Sequence, residues 1–190
     1  MDMKQRVLLL LTVIGTPFFF IPSLQAGDSL LPVQLDCPSC LSFGVQRFQQ
    51  KLESPPFSLR DLNGNQIALN DFKGKPILLI FFASWCHGCK EDIPLIEKFA
   101  EGKKDQLTIL TVAIDGEKGK RVQRFVKDLK ITLPVLLDVK ERIARTYGVR
   151  MIPTTFFINR EGVIVGMIVG QRNWSLPDAW SAVRDLFALR

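Results

Sequence analysis

The chain has 190 residues, of which 47% are apolar and 23% charged, and it carries a formal net charge of +6. This composition is too apolar for a disordered chain and too charged for a protein with many membrane spans. The positive excess contains no run of five or six like charges, so nucleic-acid binding is not expected. Four cysteines are too few for a disulfide scaffold, but they form two C-x-x-C pairs, Cys37/Cys40 and Cys86/Cys89.

The N-terminus has the pattern of a secretory signal. Lys4 and Arg6 precede a long apolar stretch, and the small residue Ala26 stands just after it. A basic start, an apolar middle and a small residue at the cleavage point are typical of exported proteins. We predict a signal peptide over residues 1–26, with an uncleaved anchor helix as the alternative. In both cases the rest of the chain is expected in the periplasm or another extracytoplasmic location.

The next segment, residues 27–52, contains the first cysteine pair. After this pair, the apolar residues are spaced 4, 3 and 4 apart, which predicts one face of a helix: Leu41, Val45, Phe48 and Leu52. The glycines and prolines of the segment predict a mobile N-terminal arm. Three roles are open for Cys37 and Cys40: a second redox pair that exchanges with Cys86/Cys89, a stabilising or metal-holding pair, and an inert local disulfide.

Strand and helix signals alternate from residue 53 to residue 190, which predicts one α/β domain. A hairpin around Asn63-Gly64-Asn65 comes first, and the continuous apolar run at 76–83 is typical of a strand buried on both faces. Further strands are predicted at 107–114, 134–137, 154–158 and 163–169, the last two forming an antiparallel edge. Helices are predicted at 86–100, 117–130, 141–147 and 175–189.

Redox chemistry is predicted at Cys86 and Cys89, where the buried strand ends and a helix begins. A helix start presents free N–H groups and the positive end of its dipole, which favour the thiolate of Cys86. We expect Cys86 to be the exposed attacking thiol and Cys89 to be the buried resolving thiol. A structural disulfide across so short a loop would constrain little of the unfolded chain, and the wide separation of the two pairs fits a zinc ribbon poorly. The Cys86–Cys89 disulfide is expected to act without a cofactor or metal.

The residues around this pair resemble a known family. Residues 82–94 (FASWCHGCKEDIP), 71–75 (DFKGK) and 147–158 (YGVRMIPTTFFI) are similar to thioredoxin-like proteins, above all to the exported TlpA/ResA-like thiol–disulfide oxidoreductases. The resemblance covers about residues 53–190. It implies a thioredoxin-like fold, in which a central mixed sheet has helices on both faces, with an α/β insertion within residues 116–139.

The resemblance also implies a substrate-supporting loop. Pro153, preceded by Ile152, falls on the cis-proline segment of the family, which lies opposite the cysteine pair and supports the substrate chain by backbone hydrogen bonds. An X–Pro bond reaches the cis form at modest cost, so the residue type fits. Trp85 belongs to the matching active-site segment and is expected to support the site.

Two further side chains near the pair have open roles. Asp92 stands where relatives often carry a glutamate, and it would accept the proton of Cys89 or else serve the helix dipole as an acid of the first turn. His87 is the one histidine of the chain. A protonated His87 would favour the thiolate of Cys86; the alternative is an exposed side chain with little effect.

By resemblance, the expected function is thiol–disulfide exchange on exported proteins. The common role of the group is reduction of partner cysteines, including the heme-attachment cysteines of apocytochrome c, and a membrane electron donor is the expected partner. One alternative is a redox-inactive, chaperone-like module that binds peptides around Pro153. Another is a peroxiredoxin-like peroxidase, but that chemistry needs a hydroxyl residue three positions before the attacking cysteine, where this chain has Ala83.

Overall fold

The structure, a computed structural model, describes residues 37–116 and 119–189. The signal segment predicted over residues 1–26, and the first part of the predicted arm, lie outside this range. No helix among the described residues is long and apolar enough to cross a membrane.

The described residues form one mixed sheet, five α-helices and a short 3-10 helix at Leu69–Phe72. The strands are β1 (Gln46–Glu53), β2 (Ser58–Asp61), β3 (Gln66–Ala68), β4 (Ile77–Phe82), β5 (Thr108–Ala113), β6 (Val135–Leu137), β7 (Thr154–Ile158) and β8 (Val163–Val169). The helices are α1 (Pro38–Phe43), α2 (His87–Ala100), α3 (Gly119–Asp128), α4 (Arg142–Thr146) and α5 (Pro177–Phe187). The predicted elements from the hairpin onward all occur, with ends shifted by a few residues.

The strands lie in the order β1-β8-β7-β4-β5-β6-β2-β3. Strands β4, β5 and β6 are parallel, as expected for strands connected through helices. Antiparallel strands flank them on both sides, with β7, β8 and β1 next to β4 and the β2–β3 hairpin next to β6. The prediction of a mixed α/β sheet is confirmed, and α3 and β6 lie within the predicted insertion at 116–139.

Strand β4 forms the centre of two hydrophobic cores because its six apolar residues are all buried. Side chains alternate along a strand, so Leu78, Ile80 and Phe82 face the core that contains α1, α2, α3 and α5. Ile77, Leu79 and Phe81 face the opposite core, which contains α4. Helices therefore cover both faces of the sheet, as predicted.

The structure contradicts the predicted helix over Leu41, Val45, Phe48 and Leu52. Helix α1 ends at Phe43, because Gly44 adopts φ 76° and its N–H donates to the carbonyls of residues 40 and 41. The left-handed conformation favours glycine and is a common way to end a helix. The chain then turns into β1, which pairs with β8.

Residues 37–53 are built into the sheet and its core, unlike the mobile arm expected from the sequence. Cys40, Phe43 and Val45 are buried in the same core as α5. Val45, just before β1, lies so close to β8 that a Cβ added at Gly166 would be 2.8 Å from its Cγ1. Strand β1 is one edge of the sheet, β3 is the other, and the β7–β8 hairpin, expected at the edge, is internal.

Candidate active site

Cys86 and Cys89 form a disulfide at the start of α2. Cys86 is the N-cap residue, and its sulfur accepts the backbone N–H of Cys89 at 3.2 Å. Cys86, expected to be exposed, is largely buried, with 9% of its surface exposed. Cys89 is fully buried, as expected, so a partner thiol or disulfide reaches Cys86 first. Free N–H groups at a helix start stabilise negative charge on the capping sulfur.

The loop between β4 and α2 is held by a carboxylate that the sequence did not single out. The backbone N–H of Ser84 donates to Asp115 Oδ2 at 2.9 Å, and the Ser84 hydroxyl also donates to this carboxylate. The N–H of Cys86 donates to the Ala83 carbonyl at 3.1 Å. These bonds fix the course of the chain from the end of β4 to Cys86. Asp115 is 31 residues from Ser84, so no local motif links them.

The loop before β7 lies opposite the cysteines. The Ile152–Pro153 peptide bond is cis, as predicted, and the Ile152 carbonyl oxygen lies 3.7 Å from Cys86 Sγ. Pro153 also lies close to the start of α2, since a Cβ added at Gly88 would be 3.8 Å from Pro153 Cδ. Trp85 directly precedes Cys86, and Met151 directly precedes Ile152; the two side chains are 61% and 60% exposed. The site therefore combines a reachable sulfur, a backbone acceptor beside it and exposed apolar side chains.

Asp92 is a buried carboxylate three positions after Cys89, with only 1% of its surface exposed. It accepts the backbone N–H of Arg172 at 3.0 Å. Burial raises the pKa of Asp92 to about 6, although the Arg172 N–H lowers it. The indole N–H of Trp174 also lowers this pKa without making a hydrogen bond of ordinary geometry. Asp92 is therefore a carboxylate near neutral pH and takes up a proton readily.

Comparisons with known proteins agree with this geometry. Residues 51–167 match the AhpC/TSA family. The chain is 34% identical to "Thiol-disulfide oxidoreductase ResA" of Bacillus subtilis over 134 residues, which are 70% of this chain and 74% of that protein. It is 38% identical to "Thioredoxin-like protein YneN" of the same organism, over 67% of this chain and 74% of that one.

Solved structures show the same fold. The exposed lipoprotein thioredoxin Etrx1 of Streptococcus pneumoniae superposes with a TM-score of 0.61 at 32% identity, over 69% of this chain and 99% of the other. A thiol:disulfide interchange protein of Chlorobium tepidum gives 0.63 at 28% identity, over 73% and 99%. The chain belongs to the ResA-like thiol–disulfide oxidoreductases of the AhpC/TSA family. The resemblance and the thioredoxin-like fold inferred from the sequence are confirmed.

In this ResA-like chain the His87 side chain is 90% exposed and turned toward Glu91. His87 Nε2 lies 3.2 Å from Glu91 Oε1, and Glu91 Oε2 accepts the side-chain N–H of Gln171 at 2.6 Å. The histidine between the two cysteines is thus part of an exposed polar network. Glu91 and Gln171 were not identified from the sequence.

The loop after β8 connects several parts of the ResA-like site. The N–H of Gly170 donates to the Pro153 carbonyl at 2.8 Å, and two residues later Arg172 binds Asp92 through its N–H. The Arg172 guanidinium donates to the carbonyl of Phe43, the last residue of α1, at 3.3 Å. Sequence reasoning missed this loop because its contacts join residues that are far apart in the chain.

The second pair, Cys37 and Cys40, forms a disulfide that caps α1. Cys37 is 3% exposed and Cys40 is fully buried. Ser39, between them, donates its hydroxyl to Asp185 of α5 at 2.6 Å. The described residues contain no group of three or more His, Cys, Asp and Glu side chains arranged to hold a metal ion.

Proposed function

We propose that this ResA-like oxidoreductase is exported and reduces disulfides of exported proteins. The observation that supports the proposal best is the placement of Cys86 at the start of α2, with the Ile152 carbonyl 3.7 Å from its sulfur. A substrate chain lying along Ile152 would present a sulfur to Cys86, while Cys89 stays covered until the next step.

The proposed reaction has two exchange steps. The Cys86 thiolate attacks one sulfur of the substrate disulfide, so that the substrate S–S bond breaks, a mixed disulfide forms and the leaving thiolate takes a proton from water. The Cys89 thiolate then attacks the Cys86 sulfur and releases the second substrate thiolate. The substrate gains two electrons, and the protein is left with the Cys86–Cys89 disulfide described above.

Asp92 is proposed to accept the proton of Cys89 before the second step. Both residues are buried on the same face of α2, three positions apart. Because its pKa is about 6, Asp92 is ionised at neutral pH and can be protonated by a neighbouring thiol. In this proposal Arg172 fixes the orientation of the carboxylate through its N–H.

The partners follow from this direction of electron flow. We propose that the substrates are exported proteins with paired cysteines, such as the heme-attachment cysteines of apocytochrome c. The oxidised pair must then be reduced again, and a membrane-bound dithiol donor is proposed for that step. The signal-like N-terminus supports export, and Cys86–Cys89 would be the one redox group used, without a bound cofactor.

An insulin-reduction assay tests the activity. The protein is expected to accelerate the reduction of insulin disulfides by dithiothreitol, and Cys86→Ser is expected to bring the rate to background. A redox-inactive binding module would give no acceleration in either form. Hydrogen peroxide consumption tests the peroxidase alternative. The chain does not favour that alternative, because the position that needs a hydroxyl residue is occupied by Ala83, which is buried.

We expect Cys86 to be the first cysteine modified when the reduced protein is treated with iodoacetamide. The helix start favours its thiolate, so modification should proceed at a pH at which a free cysteine, with a pKa of about 8.5, is still protonated. Peptide mass mapping identifies the modified residue. His87→Ala tests the histidine: a lower rate at pH 6 assigns it a role in holding the thiolate, and an unchanged rate assigns it none. Faster modification of Cys89 or Cys37 would contradict the proposed roles.

For Cys37 and Cys40 we propose a stabilising disulfide in place of the relay role. Exchange requires an attacking thiolate to reach a sulfur, and both sulfurs are buried against α5. The double variant Cys37→Ala/Cys40→Ala is expected to lose about 2 kcal/mol of stability, because it removes two buried sulfur atoms in addition to the small constraint of a short closed loop, and to keep its rate of insulin reduction. Urea unfolding measures the first effect.

Ser39→Ala is the control for this experiment, because it removes the bond to Asp185 and leaves both cysteines in place. It is expected to lower stability by about 1 kcal/mol or less. A fall in turnover for the double cysteine variant, with none for Ser39→Ala, would instead support electron relay between the pairs. A mapped Cys37–Cys86 disulfide during turnover would support the relay as well.

A further inference from the structure

An open cavity of about 410 Å³ lies beside Trp85, between the start of α2 and helix α3. Its polar lining comes chiefly from Lys90 on α2 and from Arg121, Arg124 and Asp128 on α3. Helix α3 is part of the insertion at 116–139, so the cavity is formed jointly by the active-site helix and the insertion. The proposed exchange steps do not use these side chains.

The cavity has an unbalanced positive charge. Lys90, Arg121 and Arg124 line it with three cationic groups, against the one carboxylate of Asp128. Throughout residues 37–116 and 119–189, no carboxylate lies within the 4.0 Å ion-pair distance of these three cations. Their charge is therefore available to a bound partner. Arginine also binds carboxylates through two parallel N–H donors, which adds geometric selectivity.

The position of the cavity relates it to the reacting sulfur. Trp85 lines the cavity, is 61% exposed and directly precedes Cys86 in the chain. An extended peptide advances about 3.3 Å per residue. A side chain two to four residues from a cysteine bound at Cys86 therefore lies about 7–13 Å from that cysteine along the substrate chain.

We propose that this cavity binds acidic side chains that flank the reacting cysteine of the substrate polypeptide. The proposal rests on the proposed function and adds a substrate class to it: proteins with Asp or Glu within about four residues of the disulfide. The carboxylate would pair with Arg121 and Arg124, while the buried Phe125 ring provides an apolar surface for the methylene groups. No covalent step is added, because the cavity only recruits and orients.

Three synthetic peptides test the proposal. They share one internal disulfide and differ only in the flanking residues, which are glutamate, glutamine or lysine. The rate constant for their reduction by the pre-reduced protein is followed by tryptophan fluorescence in stopped flow. At low ionic strength the glutamate peptide is expected to react about 5- to 10-fold faster than the glutamine peptide, and the lysine peptide slower than both. At about 1 M salt, where the Debye length is about 3 Å, the preference should largely disappear.

Matched variants distinguish the effect of the cavity-lining arginines from that of the general positive charge of α3. Arg121→Gln/Arg124→Gln is expected to bring the glutamate-to-glutamine rate ratio close to one. Lys120→Gln/Lys127→Gln removes the same charge from exposed positions of the same helix that do not line the cavity, and should keep the ratio. Thermal unfolding verifies that both double variants fold.

Each outcome decides one question. A wild-type ratio near one, or an equal fall of the ratio in both double variants, would overturn the cavity as an acid-binding site. Failure of the wild-type protein to reduce any of the three peptides would instead overturn the proposed function. A ratio lost only in the arginine variant would establish the site.

Discussion

Cys89→Ser is expected to turn the protein into a covalent trap for its substrates. The first exchange step needs only Cys86, which is 9% exposed, whereas the second needs the buried sulfur of residue 89. With serine there, the mixed disulfide forms and cannot be resolved from within the protein. Turnover in the insulin assay should fall to background, and a dithiothreitol-sensitive adduct should accumulate on non-reducing gels and in intact-mass spectra.

Two comparisons test the assignment of the trap. Cys86→Ser/Cys89→Ser should give no adduct, since the attacking thiol is absent. Cys89→Ser/Pro153→Ala should give less adduct than Cys89→Ser alone, because the Pro153 ring packs near the start of α2, next to the Ile152 carbonyl that lies 3.7 Å from Cys86 Sγ. An adduct formed through Cys37 or Cys40 would refute the proposed order of attack.

Asp92→Asn is expected to stabilise the oxidised protein above pH 6 and to slow its turnover. Burial raises the pKa of Asp92 from 3.8 to about 6, so the folded state favours the protonated acid. This contribution to stability is fully present below about pH 4 and is lost as pH rises through about 6. The wild-type protein thereby loses up to about 3 kcal/mol of stability between these pH values. Asparagine carries no charge, so the variant does not lose it. Its side-chain oxygen still accepts the Arg172 N–H.

Urea unfolding of the oxidised protein at several pH values measures this effect. The stability difference between Asp92→Asn and wild type should be near zero at pH 4 and grow to its full value by about pH 7. Asp105→Asn, at an exposed position, serves as the control and should show no such pH dependence. A stability difference that is the same at every pH would mean that folding does not shift the pKa of Asp92, and a loss that grows with pH would mean that the folded protein favours the carboxylate. The slower turnover is measured separately, as the rate at which the mixed disulfide resolves.

The sheet and its main helices follow from local patterns. The apolar run at 76–83 predicts a strand buried on both faces, which is β4. The Asn63-Gly64-Asn65 turn predicts the hairpin of β2 and β3. The apolar spacing of Leu41, Val45, Phe48 and Leu52 misled because a short helix followed by a strand can display it too. Gly44, which adopts the left-handed conformation at the end of α1, is the residue in the sequence that marks this helix end.

The cysteines, the cis-proline loop and Asp92 were predictable because they lie in contiguous motifs. The residues that complete the site were not. Arg172 binds Asp92 across 80 positions of sequence, and Gln171 binds Glu91 across the same distance. Such contacts depend on how β8 and α2 come together in three dimensions, which no local pattern of residue types reveals.

The contact between Arg172 and the end of α1 has a consequence for genetic variation. A Cβ added at Gly44 would lie 2.9 Å from the Arg172 guanidinium, whose residue also holds Asp92 through its N–H. A substitution at Gly44 would therefore push on the residue that binds Asp92, the proposed proton acceptor of Cys89, although nothing in the redox motif itself has changed. Screens that score only the motif would classify such an allele as silent, and its defect would emerge as substrates retained on Cys86.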